Sequence, residues 1–437
     1  MTAPLPSLPS LPSLASLESL SFGLARTAEA AAARGHRLCL LTGDRSVYRH
    51  ELATLPPDAL DVIDVDTTDM AAVRRVLDGL PSLAGLINTT DTWSAPAAEL
   101  AVAYGLPGPD PAAVRLLRDK ARVRDALHRA GVSDRAALVL ERRPGQDGIA
   151  GGIVDGVADQ AARAARVVEA VGLPAVLKDS SGTSSRGVWI VRDTDGLRAA
   201  LAEAAEAPLK GELFAEPFLA GPLYSAETLS WAGETRLLGV SSRQTSRTPA
   251  VREEGAAFPV ALPPGDHDGL EKWAGRVLDA AGHDQGFAHV EFVLTAHGPE
   301  LVEINRRIGG ALIGEALCRS LQVNVYDALV DAALGRRPAL LDTPVRTAGP
   351  AVAFVLVYPD RAGTLTGWRG LDGLGAYPGE VEWYPVRAPG DAVPDIGDQR
   401  GCTGMVLAEA ATAELAQHRA WSAATSVRPV MRPAAGP

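Results

Sequence analysis

Two stretches late in the chain, His289-Val290-Glu291-Phe292 and Leu301-Val302-Glu303-Ile304-Asn305, alternate apolar and polar residues on either side of a short turn. Strand side chains point alternately to opposite faces, so the pattern specifies a hairpin with one apolar and one acidic face. Ala288, Val290, Phe292 and Leu294 are expected on the apolar face, with His289 and Glu291 opposite. On the return strand Val302 and Ile304 are expected inward, and Leu301, Glu303 and Asn305 on the acidic side. A turn at residues 296–299 reflects the chain about His297 and sets Glu303 directly opposite Glu291. Like charges so placed repel, and a bound cation relieves the repulsion. Two carboxylates and the Asn305 amide are hard oxygen donors of the kind Mg²⁺ takes, with water and substrate phosphates completing its octahedron. The hairpin alone leaves a second reading open, a solvated outer face with no ligand.

At 437 residues the chain exceeds what one compact core usually organises, so about two to four domains are expected. With 46% hydrophobic and 22% charged residues it reads as an ordinary globular enzyme. A net charge of -11 argues against nonspecific nucleic-acid binding and against anionic membrane surfaces, both of which reward clustered positive charge. Cys39, Cys318 and Cys402 are too few and too widely spaced for a disulfide framework or a zinc site, which fits a reducing cytoplasm. No apolar run reaches the roughly 18 to 20 residues of a membrane span, and the N-terminus lacks a secretory pattern. Residues 4–14 repeat a Pro-Ser-Leu unit that cannot sustain a hydrogen-bonded ladder, so residues 1–14 are expected to be a disordered leader.

Beyond it, strands at 16–20, 37–42, 62–66 and 85–88 alternate with helices at 22–34, 71–79 and 95–104, the signature of an open parallel sheet. Its first turn, Ser21-Phe22-Gly23, is not a dinucleotide fingerprint. A helical connection follows at 110–130, then a polar loop at 142–156, a helix at 159–170, and strands at 175–178, 188–192, 213–218, 224–231 and 235–241. Residues 243–258 are expected as an irregular, charged active-site loop. A helix at 270–281 precedes the hairpin and one at 323–333 follows it. The C-terminal part alternates short strands with turns and closes on a helix at 410–424.

Lys178 ends a strand and leads into Asp179-Ser180-Ser181-Gly182-Thr183-Ser184-Ser185-Arg186-Gly187. Small residues let backbone N–H groups approach phosphate oxygens, and an ammonium group serves as a point charge beside them. A plain hairpin connection is equally compatible with this motif. Lysine occurs only at positions 120, 178, 210 and 272, in a chain that otherwise relies on arginine, which draws attention to Lys120 and Lys178.

In its order of parts the chain resembles the ATP-grasp superfamily, from about residue 17 to the end. The carriers are Lys120, Lys178 with its loop, Glu216-Pro217-Phe218-Leu219-Ala220-Gly221-Pro222, Glu227, Glu291 and Glu303-Ile304-Asn305. The stretches 219–227, Asn305-Arg306-Arg307-Ile308-Gly309-Gly310 and Gly401-Cys402-Thr403-Gly404 are similar to the carboxylate–amine ligases that join L-amino acids. The resemblance implies an α/β protein, α+β in its ATP-grasp part. An N-terminal open parallel α/β domain at 15–116 would precede a two-lobed ATP-grasp domain at 117–345, with a small lid lobe at about 134–212, and a C-terminal α+β subdomain at 346–437. It further implies ATP and Mg²⁺ as cofactors, with Mn²⁺ as an acceptable substitute.

On this resemblance Lys120 and Lys178 contact ATP phosphates, and Ser184, Ser185 and Gly187 belong to the loop that closes over them. Glu216, Phe218 and Leu219 hold the adenine, and Glu227 lies near the ribose. Glu291, Glu303 and Asn305 bind the metal, His289 is a structural neighbour, and Arg307 with the amides of Gly309 and Gly310 steadies an oxyanion. The implied reaction converts a carboxylate to an acyl phosphate that an amine attacks, with small-molecule substrates, an amino acid among them, and allowance for a homodimer. The chain departs from the dipeptide-ligase pattern where Gly255-Ala256-Ala257 precedes Phe258-Pro259, and Ala311 leaves room for a bulky second substrate. Arg243, Arg247 and Arg252 are candidates to grip a substrate carboxylate. A biotin-carboxylase-like enzyme and a non-catalytic nucleotide-binding protein are the alternatives.

Overall fold

Strands β1 (Ser13–Leu17), β2 (Arg37–Thr42), β3 (Asp61–Asp64) and β4 (Gly85–Ile87) form the expected parallel sheet, in the order β3-β2-β1-β4. They open the computed structural model, which describes residues 11–140, 157–183, 186–246, 252–263, 265–344 and 348–433. The first strand lies three residues earlier than its expected place at 16–20, so Ser13 and Leu14, assigned above to a leader, are buried sheet residues. Residues 1–10 lie outside the described part. The strand stops at Glu18, whose φ of 54° is left-handed and uncommon outside glycine. Its carboxylate fixes this turn by accepting from Gly43 N, Thr67 Oγ1 and Tyr48 Oη at 2.6 to 2.8 Å.

The connection expected as one helix over 110–130 is two, Pro111–Leu117 and Lys120–Arg129. Asp110 and Asp119 each cap one by accepting amide N–H groups of its first turn, and that second cap breaks the run. The small lobe is an antiparallel sheet, β5 (Leu138–Leu140), β6 (Ala175–Asp179), β7 (Val188–Val191) and β8 (Leu213–Pro217), in the order β5-β8-β6-β7. Helices Val157–Ala170 and Thr194–Glu206 cover it over a core that includes Val167, Leu177, Leu197 and Ala215. This sheet runs to Pro217, past the expected end of the lobe at 212. The polar loop at 142–156 lies outside the described residues.

The scaffold of the site is an eight-stranded antiparallel sheet. It contains β9 (Leu223–Trp231), β10 (Glu234–Thr245), β11 (Glu253–Phe258), β12 (Gln285–Thr295), β13 (Gly298–Asn305) and β14 (Ala351–Val357). A separate three-stranded sheet holds β15 (Gly363–Arg369), β17 (Ala392–Val393) and β19 (Arg428–Arg432), while β16 (Glu382–Pro385) and β18 (Gly404–Ala410) complete the large sheet, ordered β13-β12-β9-β10-β11-β14-β18-β16. The segment expected as an irregular loop is therefore mostly strand. Arg243 lies in β10, and residues 253–258 form β11, whose Ala256, Ala257 and Phe258 are buried between β10 and β14. The run of charged residues hid a strand whose small apolar residues pack inside.

Helix Asp266–Ala280 presses Trp273, Val277 and Leu278 onto Val290, Phe292 and Ile304. Helix Ile313–Leu321, absent from the sequence reading, and helix Tyr326–Ala333 link this sheet to the parallel one. There Arg34 meets Asp327 at 2.6 Å and Asp331 at 2.5 Å, and Arg26 meets Glu315 at 3.1 Å. No helix among the described residues is long and apolar enough to cross a membrane.

Candidate active site

The acidic hairpin has the expected pairing, with Glu291 opposite Glu303 and His289 opposite Asn305. It reaches this register by a β-bulge. The turn is tighter than assumed, joining Thr295 to Gly298, and Phe292 pairs with Leu301, which leaves Val302 as the extra residue. The bulge reverses two expected faces: Leu301 joins Ile304 in the core, and Val302 turns to the cleft. Leu294, expected in the core, is 41% exposed beside the turn.

The acidic face forms one wall of a cleft of about 250 Å³ between the large sheet and the small lobe. Glu303 accepts Lys120 Nζ at 3.2 Å, and the same ammonium donates to the carbonyl of Gly182 at 2.6 Å. Lys178 reaches the cleft from β6, with Nζ 2.5 Å from Glu216. The small-residue loop is tied down at its base. Asp179 accepts from the amides of Ser181, Lys210 and Gly211 at 2.8 to 3.0 Å, and Ser180 exchanges backbone bonds with Glu212 and Lys120. Gly187 has a φ of 66°, and a Cβ there would stand 3.0 Å from that of Asp179. Ser184 and Ser185 lie outside the described residues.

Behind the hairpin, Glu227 is buried and accepts from Ser225 Oγ and Ser241 Oγ at 2.9 Å and from His289 Nδ1 at 2.9 Å. Burial alone would raise its pKa, but His289 and the two hydroxyls hold it below the usual carboxylate range. Burial would lower the His289 pKa, but Glu227 raises it to about 9, and His289 Nε2 lies 2.7 Å from Arg243 Nη1. Arg243 Nη1 donates to Glu291 at 2.8 Å, Nη2 pairs with Glu253 at 3.2 Å, and Gln399 Nε2 donates to Glu253 at 2.8 Å. Burial pushes the Glu291 pKa up, and the Arg243 charge more than reverses it. Arg307 closes the far side, its Nε and Nη2 donating to Asp91 Oδ2 at 2.8 and 2.7 Å. Asp91 likewise sits below the carboxylate range, since Arg307 and Arg118 outweigh its burial.

The sequence-derived candidates thus divide. Lys120, Lys178, Glu291, Glu303, Asn305, Arg307 and Gly310 line one cleft, as does Ala311. Gly309 is buried beside it, where a Cβ would come within 2.6 Å of Ile313 Cγ2 and 2.8 Å of His289 Nδ1. Glu227 does not line the cleft and serves as the anchor of His289. Glu216 is buried between Arg124, at 2.6 Å, and Lys178, which together outweigh its burial and bring its pKa down to about 2. Glu216 and Leu219 line a separate small cavity with Arg124 and Arg135, and the Phe218 ring lies 5.4 Å from the guanidinium of Arg192. Among the three arginine candidates Arg243 lines the cleft, Arg252 stacks on Tyr358 at 4.0 Å, and Arg247 lies outside the described residues.

Asp91, Asp179, Arg186, Glu253 and Gln399 also line the cleft and were not singled out. A usable signal existed for Asp91, which follows the carboxyl end of β4, where open parallel sheets bind ligands. Glu253 and Gln399 carry no local motif. Among the described residues no group of three or more His, Cys, Asp and Glu side chains could hold a metal by itself. Two carboxylates and an amide are an incomplete shell, and each carboxylate rests against a protein cation, Arg243 or Lys120. This donor chemistry suits Mg²⁺ that takes its remaining oxygens from phosphate and water.

Residues 171–315 match the ATP-grasp domain family, and residues 355–432 match the L-amino acid ligase C-terminal domain 2. The uncharacterised protein y4rH of Sinorhizobium fredii is 28% identical over 382 residues, covering 85% of this chain and 73% of that protein. Human carnosine synthase 1 is 28% identical over 192 residues, which span 41% of this chain and 23% of the synthase. The crystal structure of an L-amino acid ligase from Bacillus licheniformis superposes with a TM-score of 0.76 at 18% identity, covering 96% of this chain and 99% of that one, and so shares the fold. The chain thus carries an ATP-grasp domain at residues 171–315, followed at residues 355–432 by a C-terminal domain of the L-amino acid ligase type.

Proposed function

We propose that this protein is an ATP-dependent carboxylate–amine ligase that makes an amide bond through an acyl phosphate, with an L-amino acid as one substrate, releasing ADP and phosphate. The observation that carries the proposal is the opposition, across one cleft, of the Glu291–Glu303–Asn305 wall to Lys120 and Lys178. Lys120 and Lys178 would exchange their present carboxylate partners for phosphate oxygens, placing the γ-phosphoryl group between the hairpin and the loop after β6. Mg²⁺, held by Glu291, Glu303 and Asn305, would supply charge neutralisation on the transferring phosphoryl group. Asp179 would keep the base of the loop fixed while its tip covers the phosphates, excluding water from an intermediate that hydrolyses readily. Arg307, oriented by Asp91 from the side of the parallel domain, would face the oxyanion formed when the amine attacks. Arg243 sits where a substrate carboxylate could reach it, and its position between Glu253 and Glu291 supports a role in orienting that carboxylate.

The test is ADP and phosphate release from Mg-ATP across a matrix of paired amino acids and amines, with mass spectrometry of the positive wells. A condensed product that needs both partners supports the ligase. Turnover that depends on bicarbonate instead would make the protein a carboxylase, and nucleotide binding with silence across the matrix would make it non-catalytic. Cytoplasmic placement and a homodimer remain part of the proposal, tested by fractionation and by light scattering.

A further inference from the structure

A second crevice, of about 70 Å³, lies between the parallel domain and the large sheet. One side is built by Leu86, Ile87 and Asn88 at the end of β4 and by the helix Ser94–Ala103. The other is built by the first residues of β12, by Arg306 and Arg307, and by the helix Tyr326–Ala333. Arg307 lines both cavities, so the crevice backs directly onto the proposed active site.

The charge in this crevice is unbalanced. No acidic side chain lines it among the described residues, whereas two arginines do. Arg307 is neutralised by Asp91. Arg306 makes one hydrogen bond, from Nη2 to the Gln285 carbonyl at 3.0 Å, and no ion pair within 4.0 Å is found for it among the described residues. Several other arginines held inside the protein face carboxylates: Arg124 has Glu216, Arg243 has Glu253 and Glu291, and Arg319 has Glu315, Glu382 and Glu409, whereas Arg387, like Arg306, has no ion pair within 4.0 Å among the described residues and donates to the Arg400 carbonyl. Burial pushes the Arg306 pKa down to about 10, outweighing the attraction of Asp284, which makes no ion pair with it within 4.0 Å. Gly286, whose φ is 88°, lies beside this guanidinium, and a Cβ there would be in ordinary contact with Arg306 Nη2 at 3.5 Å.

The remaining walls are mostly aliphatic and aromatic, including Leu86, Ile87, Ala98, Phe287 and Leu329, with Asn88, Ser94 and Gln285 as their polar residues. A guanidinium in a small, mostly apolar crevice fits a planar anion with a short hydrocarbon tail, because the fork of N–H donors matches a carboxylate and the walls gain from covering methylene groups. A phosphate dianion would bring three hydrated oxygens against those apolar walls and fits poorly. A volume of this size admits a molecule of about four to six heavy atoms. We propose that the crevice is a binding site for a short aliphatic monocarboxylate, gripped by Arg306 and set behind Arg307. The site is distinct from the ATP cleft and stands whether or not the ligase reading holds.

Titrating the full-length protein, without nucleotide, with butyrate and following ligand saturation-transfer NMR tests the proposal. Saturable one-to-one binding is expected, weakened about tenfold to a hundredfold in Arg306→Gln, the effect of removing a charged hydrogen-bond donor. Ala98→Leu, which fills the chamber and leaves Arg306 in place, is expected to abolish binding as well. Arg243→Gln, which alters the other cleft, is expected to leave it unchanged. Circular dichroism and thermal melting of each variant establish that it folds. Absence of saturable butyrate binding to the wild type overturns the proposal, as does binding that survives Arg306→Gln or binding lost in Arg243→Gln. Inorganic phosphate binding at least as tightly through Arg306 would overturn the assigned ligand class.

Discussion

Replacing Asp91 by Asn tests whether the parallel domain takes part in the chemistry. Asp91 Oδ2 accepts both Arg307 Nε and Nη2, and the two side chains are only 16% and 15% exposed. The substitution keeps an oxygen acceptor at that place and removes the charge. Opposite unit charges about 4 Å apart attract by about 4 kcal/mol at the effective dielectric constant of roughly 20 that suits such sites. Arg118, 3.8 Å from Asp91, and solvent at the cleft mouth share that interaction, so about 2 kcal/mol is a fair net value for orienting Arg307. If Arg307 acts on charge that develops in the transition state, kcat falls by about thirtyfold, while the KM for ATP moves by less than about twofold. Coupled-enzyme assay of ADP release on an active substrate pair reads kcat, and fluorescent nucleotide titration reads ATP affinity. An unchanged kcat in a folded Asp91→Asn protein, or a loss carried wholly by ATP affinity, would refute the role given to the Asp91–Arg307 pair.

Glu303→Ala removes one of two opposed metal-side carboxylates and is expected to abolish Mg²⁺-dependent turnover without changing the far-ultraviolet circular dichroism; retained turnover, or Mn²⁺–ATP binding unaltered by electron paramagnetic resonance, would sink the metal assignment. Gly309→Ala drives a methyl group to 2.6 Å from Ile313 Cγ2 and should destabilise the protein by about 1–3 kcal/mol, visible as a lower melting temperature. Glu216 has its pKa brought down from 4.5 to about 2 by Arg124 and Lys178, so its contribution to stability is complete above about pH 4.5 and is lost as the pH falls through about 2. Urea midpoints across that window should fall less steeply in Glu216→Gln than in the wild type. Gly211→Ala sets a Cβ 2.4 Å from Ser180 Oγ, and loosening of the loop should raise the KM for ATP more than it lowers kcat.

Much of the architecture was written locally. The βαβ opening was legible because helix and strand periods alternate cleanly, and β2 at residues 37–42 came out residue for residue. β1 was displaced because the Pro-Ser-Leu repeat runs without a break into Ser13 and Leu14, and nothing local marks where the ladder begins. The opposition of Glu291 to Glu303 followed from simple reflection of the hairpin. The bulge at Val302 did not, because two offsets cancelled: a tighter turn shifted the register one way and the extra residue restored it. Arg243 was read into a loop because sequence reports a charged neighbourhood and not the Glu253, Glu291 and His289 that fold around it. Asp91 and Arg307 stand 216 positions apart, and a pair made by two domains leaves no spacing to find.

The pairing of four cations with carboxylates in and beside the main cleft bears on how fast a nucleotide can be captured. Lys120 with Glu303, Lys178 with Glu216, Arg243 with Glu291 and Arg307 with Asp91 form short dipoles whose fields cancel within a few ångströms. In a chain of net charge -11, such a cleft offers little long-range pull to a polyanion. Association of metal-bound ATP should therefore be slower than an electrostatically steered encounter and nearly indifferent to ionic strength, with the rate set by the exchange of ion partners after contact.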